Sequence, residues 1–282
     1  MKRARSQVDK IGKIARHSSN KKDDKSSLVD HRRLSNNDGD GDQGRRKKNQ
    51  SSLKKSTSNP LHWEEIYQNI VQMRSETKAA IDTMGCEKCY ETDIDEKQKR
   101  FQILVSLMLS SQTRDQITYA TMNELRKKNL SVDLIDQMPL DELQNLIKSV
   151  GFFRRKAEYL KKTAKILKED YDNDIPETLE EVMRLPGVGP KMAHLVMKTA
   201  WNKITGIAVD THVHRICNRL QWTRTKTPEQ TQIELEKWFP RKYWSDINHL
   251  LVGFGQSICL PQRPKCNSCL NKKICPSSQF EF

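Results

Sequence analysis

The sequence predicts an all-α protein behind a long basic tail. Apolar residues from Pro60 onward recur at helical rather than strand spacing, helix caps and stops punctuate that pattern, and basic charge is concentrated in residues 1–59. Those 59 residues hold 17 Lys/Arg against 7 Asp/Glu, a net +10, while the remaining 223 hold 33 against 29, a net +4. The tail is rich in Ser, Asn, Asp, Lys and Arg and poor in large apolar residues. It cannot bury enough surface to offset its ordering entropy and is expected to be disordered. No run of about 18 apolar residues occurs, so neither a spanning helix nor a membrane partner is expected. No apolar stretch follows the first basic residues, as a secretory signal requires.

Within the tail, Lys2-Arg3-Ala4-Arg5 and Arg45-Arg46-Lys47-Lys48 suit a nuclear address or a nonspecific nucleic-acid contact, and equally a plain solvated tail. Val8, Ile11 and Ala15 fall at helical spacing among basic residues and resemble a weak mitochondrial presequence. Beyond it, Phe101, Leu104, Val105 and Met108 form a core-facing stripe. Leu140, Leu143, Ile147 and Val150 repeat it, with Gly151 as the stop. Thr178 and Glu181 read as a capping box opening a short helix. Two further stripes run through Ala193, Val196, Met197, Ala200 and through Val213, Ile216, Cys217, Leu220.

Seven cysteines, an odd number, favour a metal or cluster site over disulfides in a chain without a secretory signal. Cys259, Cys266, Cys269 and Cys275 crowd into 17 residues, and Pro261, Pro264 and Pro276 break any helix there. Such a loop converges four thiolates on structural zinc or an iron–sulfur cluster. Only one CxxC knuckle is present where a zinc ribbon uses two, so zinc fits less well.

Leu185-Pro186-Gly187-Val188-Gly189-Pro190-Lys191 reads as a helix-hairpin-helix spanning about 178–200. The glycines permit a tight hairpin, Pro190 suits a first helical position, and the N–H groups beyond it form an anion site for a nucleic-acid phosphate. An ordinary helix–helix turn fits the same residues. Lys191 lies about 200° from Ala193 and so points away from the buried stripe. The positive end of the helix dipole disfavours an ammonium there, and Schiff-base chemistry needs a neutral amine. A phosphate-contacting surface lysine is the plainer alternative.

In Val209-Asp210-Thr211-His212-Val213-His214 the stripe starting at Val213 predicts a helix with Asp210 as N-cap, its carboxylate ionised by backbone N–H bonds. On a strand, Asp210, His212 and His214 would share a face and suggest a metal site; on a helix the two histidines diverge. Asp170, Asp172, Asp174 and Glu181 match calcium-loop positions, but Ile175 replaces the required glycine. Cys86 and Cys89 form a lone CxxC and read as unrelated thiols. Arg154, Arg155, Lys156, Lys161, Lys162 and Lys165 read as a basic surface, either solvated or tracking a DNA backbone.

Taken together, the hairpin, the Val209–His212 block and the 6-2-5 cysteine spacing resemble the endonuclease III family of DNA glycosylase/AP lyases over residues 60–282. Leu109-Ser110-Ser111-Gln112-Thr113 resembles the family segment whose glutamine enters the duplex where the damaged base leaves. The resemblance implies two helical lobes: a six-helix lobe at 94–203 containing the hairpin, and a cluster lobe from 60–93 plus 204–282. It implies a [4Fe–4S] cluster on the four cysteines and damaged double-stranded DNA as partner. It places DNA contacts at Gln112, Leu185, Gly187, Val188, Gly189 and His212. Lys191 would be the nucleophile and Asp210 the essential carboxylate, facing each other across the cleft.

As the family implies, an oxidised pyrimidine is flipped from the stack, Gln112 and the Val150–Phe153 turn fill the gap, and a Lys191 Schiff base cuts the strand by β-elimination. Adenine-mispair relatives lack the lysine and carry a further C-terminal domain; Lys191 and the end of the chain seven residues past Cys275 favour the bifunctional enzyme. Lys191 and Asp210 are 19 positions apart, one more than the bacterial pattern, and the extra residue is expected in the Trp201–Gly206 loop. A monomer in the nucleus, with a mitochondrial share, is expected. The competing readings are a noncatalytic DNA-structure-binding protein with a four-cysteine zinc loop and a metal-dependent hydrolase using Asp210, His212 and His214.

Overall fold

Helical spacing governs the chain throughout the computed structural model, which describes residues 59–278 and contains no strand among them. The basic groups at 2–5 and 45–48 and the 8–15 segment lie outside the described residues, as does the tail but for Asn59. No helix among the described residues is long and apolar enough to cross a membrane.

Two apolar cores organise the helices. The first is built on α3 (Glu96–Ser110), which Asp95 caps by accepting from the N–H groups of Lys97 and Gln98. The sequence marked one buried stripe on this helix, yet every residue from Phe101 to Leu109 is buried. A helix wrapped on all sides shows no single face. Around it pack α4 (Asp115–Lys127), α5 (Val132–Gln137), α6 (Leu140–Leu146), α7 (Phe153–Asp170), α8 (Leu179–Arg184) and α9 (Pro190–Trp201). With α3 these are seven segments; the short pair α5 and α6, joined through Met138 and Pro139, adds one to the six expected.

The second core joins α1 (Trp63–Glu76) to α10 (Thr211–Arg219), α11 (Pro228–Trp238) and α12 (Ile247–Ser257). Trp63, Tyr67, Trp222, Trp238, Phe239 and Tyr243 interlock there at centroid distances of 4.5–6.4 Å. Helix α2 (Ala80–Met84) follows α1. The passage to the first core comes earlier than the boundary near 93. Cys89 is fully buried in the first core, and Ser106 Oγ donates to Cys86 O at 2.9 Å, tying this turn to α3.

Two stripe details differ from the sequence reading. Leu140 is 40% exposed, and α6 ends at Leu146, so Gly151 does not stop it. Gly151 serves a close approach instead: a Cβ there would sit 2.5 Å from Gln112 O.

Candidate active site

The return from α9 to α10 places the carboxylate. Ile207 and Val209 belong to the second core and Ala208 to the first, so this extended segment alternates its side chains between the two. Glu236 accepts from Ile207 N at 2.7 Å and Asn248 donates to Ala208 O at 2.8 Å, fixing the segment from α11 and α12. Asp210 follows as the N-cap of α10, with Oδ1 accepting from Val213 N at 2.8 Å.

Lys191 arrives from the hairpin. Thr178 caps α8 by accepting from Glu181 N and donating to Glu181 Oε2 at 2.6 Å. Leu185 and Val188 are buried, holding the turn down, while Gly187 and Gly189 are exposed. Gly187 alone requires glycine: its φ is +80°, and a Cβ would lie 2.4 Å from the Tyr159 ring. Gly189 is extended with nothing within 4 Å of a Cβ. Gly187→Ala is therefore expected to cost about 1–2 kcal/mol, and Gly189→Ala close to nothing; urea unfolding of both variants checks the contrast. No side chain caps α9, Pro190 has no N–H, and Ala193 makes the first backbone bond to Gly189 O. The N–H groups of Lys191 and Met192 stay free for an anion.

Half-buried His212 lies on α10, two residues beyond Asp210. Burial holds its imidazole below the usual histidine range; Asp210 and Asp115 oppose this, and Arg215 and Lys191 add to it. Asp210 and Lys191 thus bear on this imidazole with opposite sign. Two further groups bear on the same charges: Asp115, which the sequence reading did not name, and Cys86, which it read as an unrelated thiol. Asp115, the first residue of α4, accepts from Gln256 Nε2 at 2.8 Å, and Gln256 Oε1 accepts from Ile81 N at 3.2 Å. Burial pushes the Cys86 thiol up, with Lys191 opposing this and Asp115 adding to it. An acid in a first helical turn reads as ordinary dipole stabilisation, so nothing local marked Asp115.

Asp210, His212 and His214 do not converge. His212 Nδ1 faces Arg215 at 3.3 Å, whereas His214 Nδ1 bonds Thr231 Oγ1 of α11 at 2.7 Å. The calcium-like carboxylates are engaged elsewhere: Asp174 takes a bidentate Arg100 at 2.6–2.9 Å, and Asp172 takes Lys97 at 2.7 Å.

The basic surface on α7 is smaller than its sequence suggests. Arg154, Arg155, Lys162 and Lys165 are exposed, but Lys156 is 6% exposed, and Lys161 donates to the carbonyls of Ile135, Asp136 and Met138. Carbonyls orphaned at a neighbouring helix end draw these ammonium groups inward. Gln112, at φ +49°, is exposed at the end of α3, beside the Phe152 turn.

Cys259, Cys266, Cys269 and Cys275 line one cavity with Leu220 and Phe254, and none forms a disulfide. Arg219 of α10 holds this loop through Leu260 O at 2.7 Å, Pro261 O at 2.8 Å and Cys259 Sγ at 3.4 Å. Asn271 ties it to α1 through Ile66 O at 3.2 Å and Asn69 at 2.9 Å. Among the described residues no three His, Cys, Asp or Glu side chains group around a single-ion position.

A family model for the HhH-GPD superfamily base excision DNA repair protein matches residues 105–241. The chain is 53% identical over 229 residues to endonuclease III-like protein 1 of Mus musculus, covering 80% of this chain and 76% of that protein. It is 48% identical over 224 residues to the endonuclease III homolog of Schizosaccharomyces pombe, covering 78% and 63%. Its fold is similar to a non-covalent endonuclease III–DNA complex, with a TM-score of 0.66 and 30% identity over 76% of this chain and 95% of that one. A trapped endonuclease III–DNA covalent intermediate, an estranged-adenine complex, gives 0.65 and 29% over 76% and 96%. With these identities, and with the hairpin and the helical fold in place, the chain belongs to the endonuclease III family of DNA glycosylase/AP lyases, enzymes of base excision DNA repair.

Proposed function

We propose that this enzyme removes oxidised pyrimidines from damaged duplex DNA and cuts the strand through a Schiff base on Lys191. Two helix starts carry the reading: Lys191 follows Pro190 at the uncapped N-terminus of α9, and Asp210 caps α10. The duplex is gripped by the hairpin N–H groups, and Gln112 with the exposed Phe152 fills the space left by the extruded base. The Lys191 amine attacks C1′ of the sugar; the C1′–N bond breaks and the base leaves with the electron pair. Asp210, as carboxylate, stabilises the positive charge developing on the sugar. Ring opening gives an imine between Lys191 and C1′. Loss of a C2′ proton then expels the 3′ phosphate, and water releases the lysine. His212, neutral and half-buried, is assigned a DNA contact by the family resemblance.

The four cysteines suit a [4Fe–4S] cluster: all four line one cavity, and their loop holds one CxxC knuckle where a zinc ribbon uses two. When bound, the cluster supplies a rigid cross-link for the loop; the exposed Arg263, Lys265, Lys272 and Lys273 are then presented to the DNA backbone. Cys269→Ser is expected to lose the broad brown absorbance and to lower the melting temperature. An unchanged visible spectrum would remove Cys269 from the ligand set.

Borohydride trapping on a duplex carrying one thymine glycol tests the reaction. A covalent adduct that disappears in Lys191→Ala supports it, while tight binding without an adduct points to base release alone. The enzyme is further proposed to act as a monomer, checked by sedimentation. A nuclear location with a mitochondrial share is proposed from the basic groups at 2–5 and 45–48 and the 8–15 segment, checked by imaging a fluorescent fusion.

A further inference from the structure

We propose that Lys156 is a positioning residue that locks the Gln112 and Phe152 turns into one unit, so that both side chains enter the duplex together when a base is extruded. The inference rests on the function proposed above, in which these two turns supply the wedges. Three ammonium donors meet three acceptors: Leu109 O at 2.7 Å, Ser111 O at 2.5 Å and Thr113 Oγ1 at 3.1 Å. The two carbonyls close the C-terminal end of α3, where orphan acceptors and the negative end of the dipole favour a cation. The same residue's backbone N–H donates to Phe152 O at 3.1 Å. Lys156 therefore bonds the turn that carries Gln112 and the turn that carries Phe152.

The turns are also pressed against each other. Gly151 N donates to Thr113 Oγ1 at 3.2 Å, and any Cβ on Gly151 would collide with Gln112 O. Gln112 and Phe152 both hold a left-handed backbone, at φ +49° and +57°. Such conformations persist in non-glycine residues only where the surroundings over-determine them. Phe152 is 64% exposed and Gln112 is exposed, so packing on a core does not fix these side chains. A pocket opens between them, lined by Met108, Gln112, Phe152, Lys156, Tyr159 and Gly187, and so reaches the hairpin. Burial brings the Lys156 ammonium down to about 8, which leaves it mostly charged at neutral pH.

The test uses full-length Lys156→Met and Thr113→Val, the second removing the shared acceptor without changing side-chain shape. Three quantities are read. They are base release from a thymine glycol duplex, 2-aminopurine fluorescence opposite an abasic analogue, and borohydride trapping on single-stranded abasic DNA, which needs no wedge. A misplacement of the order of 1 Å costs about 100-fold in rate. Lys156→Met is therefore expected to lose about 10- to 100-fold in duplex base release, to lose the fluorescence rise, and to trap single-stranded abasic DNA at the wild-type rate. Thr113→Val is expected to move the same way by less, and it decides the matter if Lys156→Met does not fold. Folded variants that excise and brighten the probe like wild type reduce Lys156 to a helix cap and overturn the proposal. So does a parallel loss of single-strand trapping, which would place the effect at Lys191 rather than at the wedges. A wild-type protein that neither brightens the probe nor releases a base overturns the underlying function instead.

Discussion

Lys191→Gln should abolish base release, strand cutting and the borohydride adduct together, while binding to damaged duplex is retained. Glutamine keeps nearly the length and polarity of lysine but has no nucleophilic amine, so it removes the bond-forming atom without emptying its place. When the atom that makes the covalent intermediate is lost, residual catalysis rests on binding alone, and losses on the order of 10⁴-fold or more are usual. Binding should survive because the hairpin grips phosphate through backbone N–H groups, and Lys191 keeps its own N–H in the variant. Single-turnover excision and fluorescence anisotropy on the same duplex separate the two. If affinity falls as steeply as turnover, Lys191 is a phosphate contact and the Schiff base is lost as an explanation. If base release persists and only strand cutting is lost, water rather than Lys191 attacks C1′, and the lysine serves elimination alone.

The local settings of Lys191 and Asp210 are legible in the sequence because each is determined within a short stretch of chain, while their roles come from the family resemblance. A proline at the first helical position, a glycine that alone tolerates φ +80°, and an acid immediately before a helical stripe each operate within one turn of chain. What the sequence did not disclose depends on contacts between distant segments. Lys156 reads as one of six basic residues on a surface until the end of α3, 43 to 47 positions earlier, supplies its acceptors. Asp115 reads as a helix-opening acid until Gln256, 141 positions on, donates to its carboxylate. Gly151 reads as a helix stop, yet its missing side chain makes room for Gln112 O. The burial of α3 was half legible: period 3.6 marks a helix with one wet face, and this helix has none between Phe101 and Leu109.

Asp210→Asn isolates charge from structure at the carboxylate proposed to act opposite Lys191. Asparagine is as good an N-cap as aspartate, since its Oδ1 can still accept from Val213 N. Helix α10 and the Arg219 bonds that hold the cysteine loop should therefore stay in place, with melting temperature and visible absorbance unchanged. What disappears is the negative charge that faces the sugar as its bond to the base breaks. Removing one preorganised electrostatic partner of a transition state costs about 10²- to 10³-fold. Turnover should fall by that factor with affinity for damaged duplex little changed. Asp210→Ala provides the control: it should lose the same turnover and, in addition, about 1 kcal/mol of stability from the missing cap. Equal activity in Asp210→Asn and wild type would mean that the carboxylate acts only as a cap, and that the charge opposite Lys191 comes from Asp115, the other carboxylate acting on His212. Asp115→Asn would then show the loss that Asp210→Asn lacks.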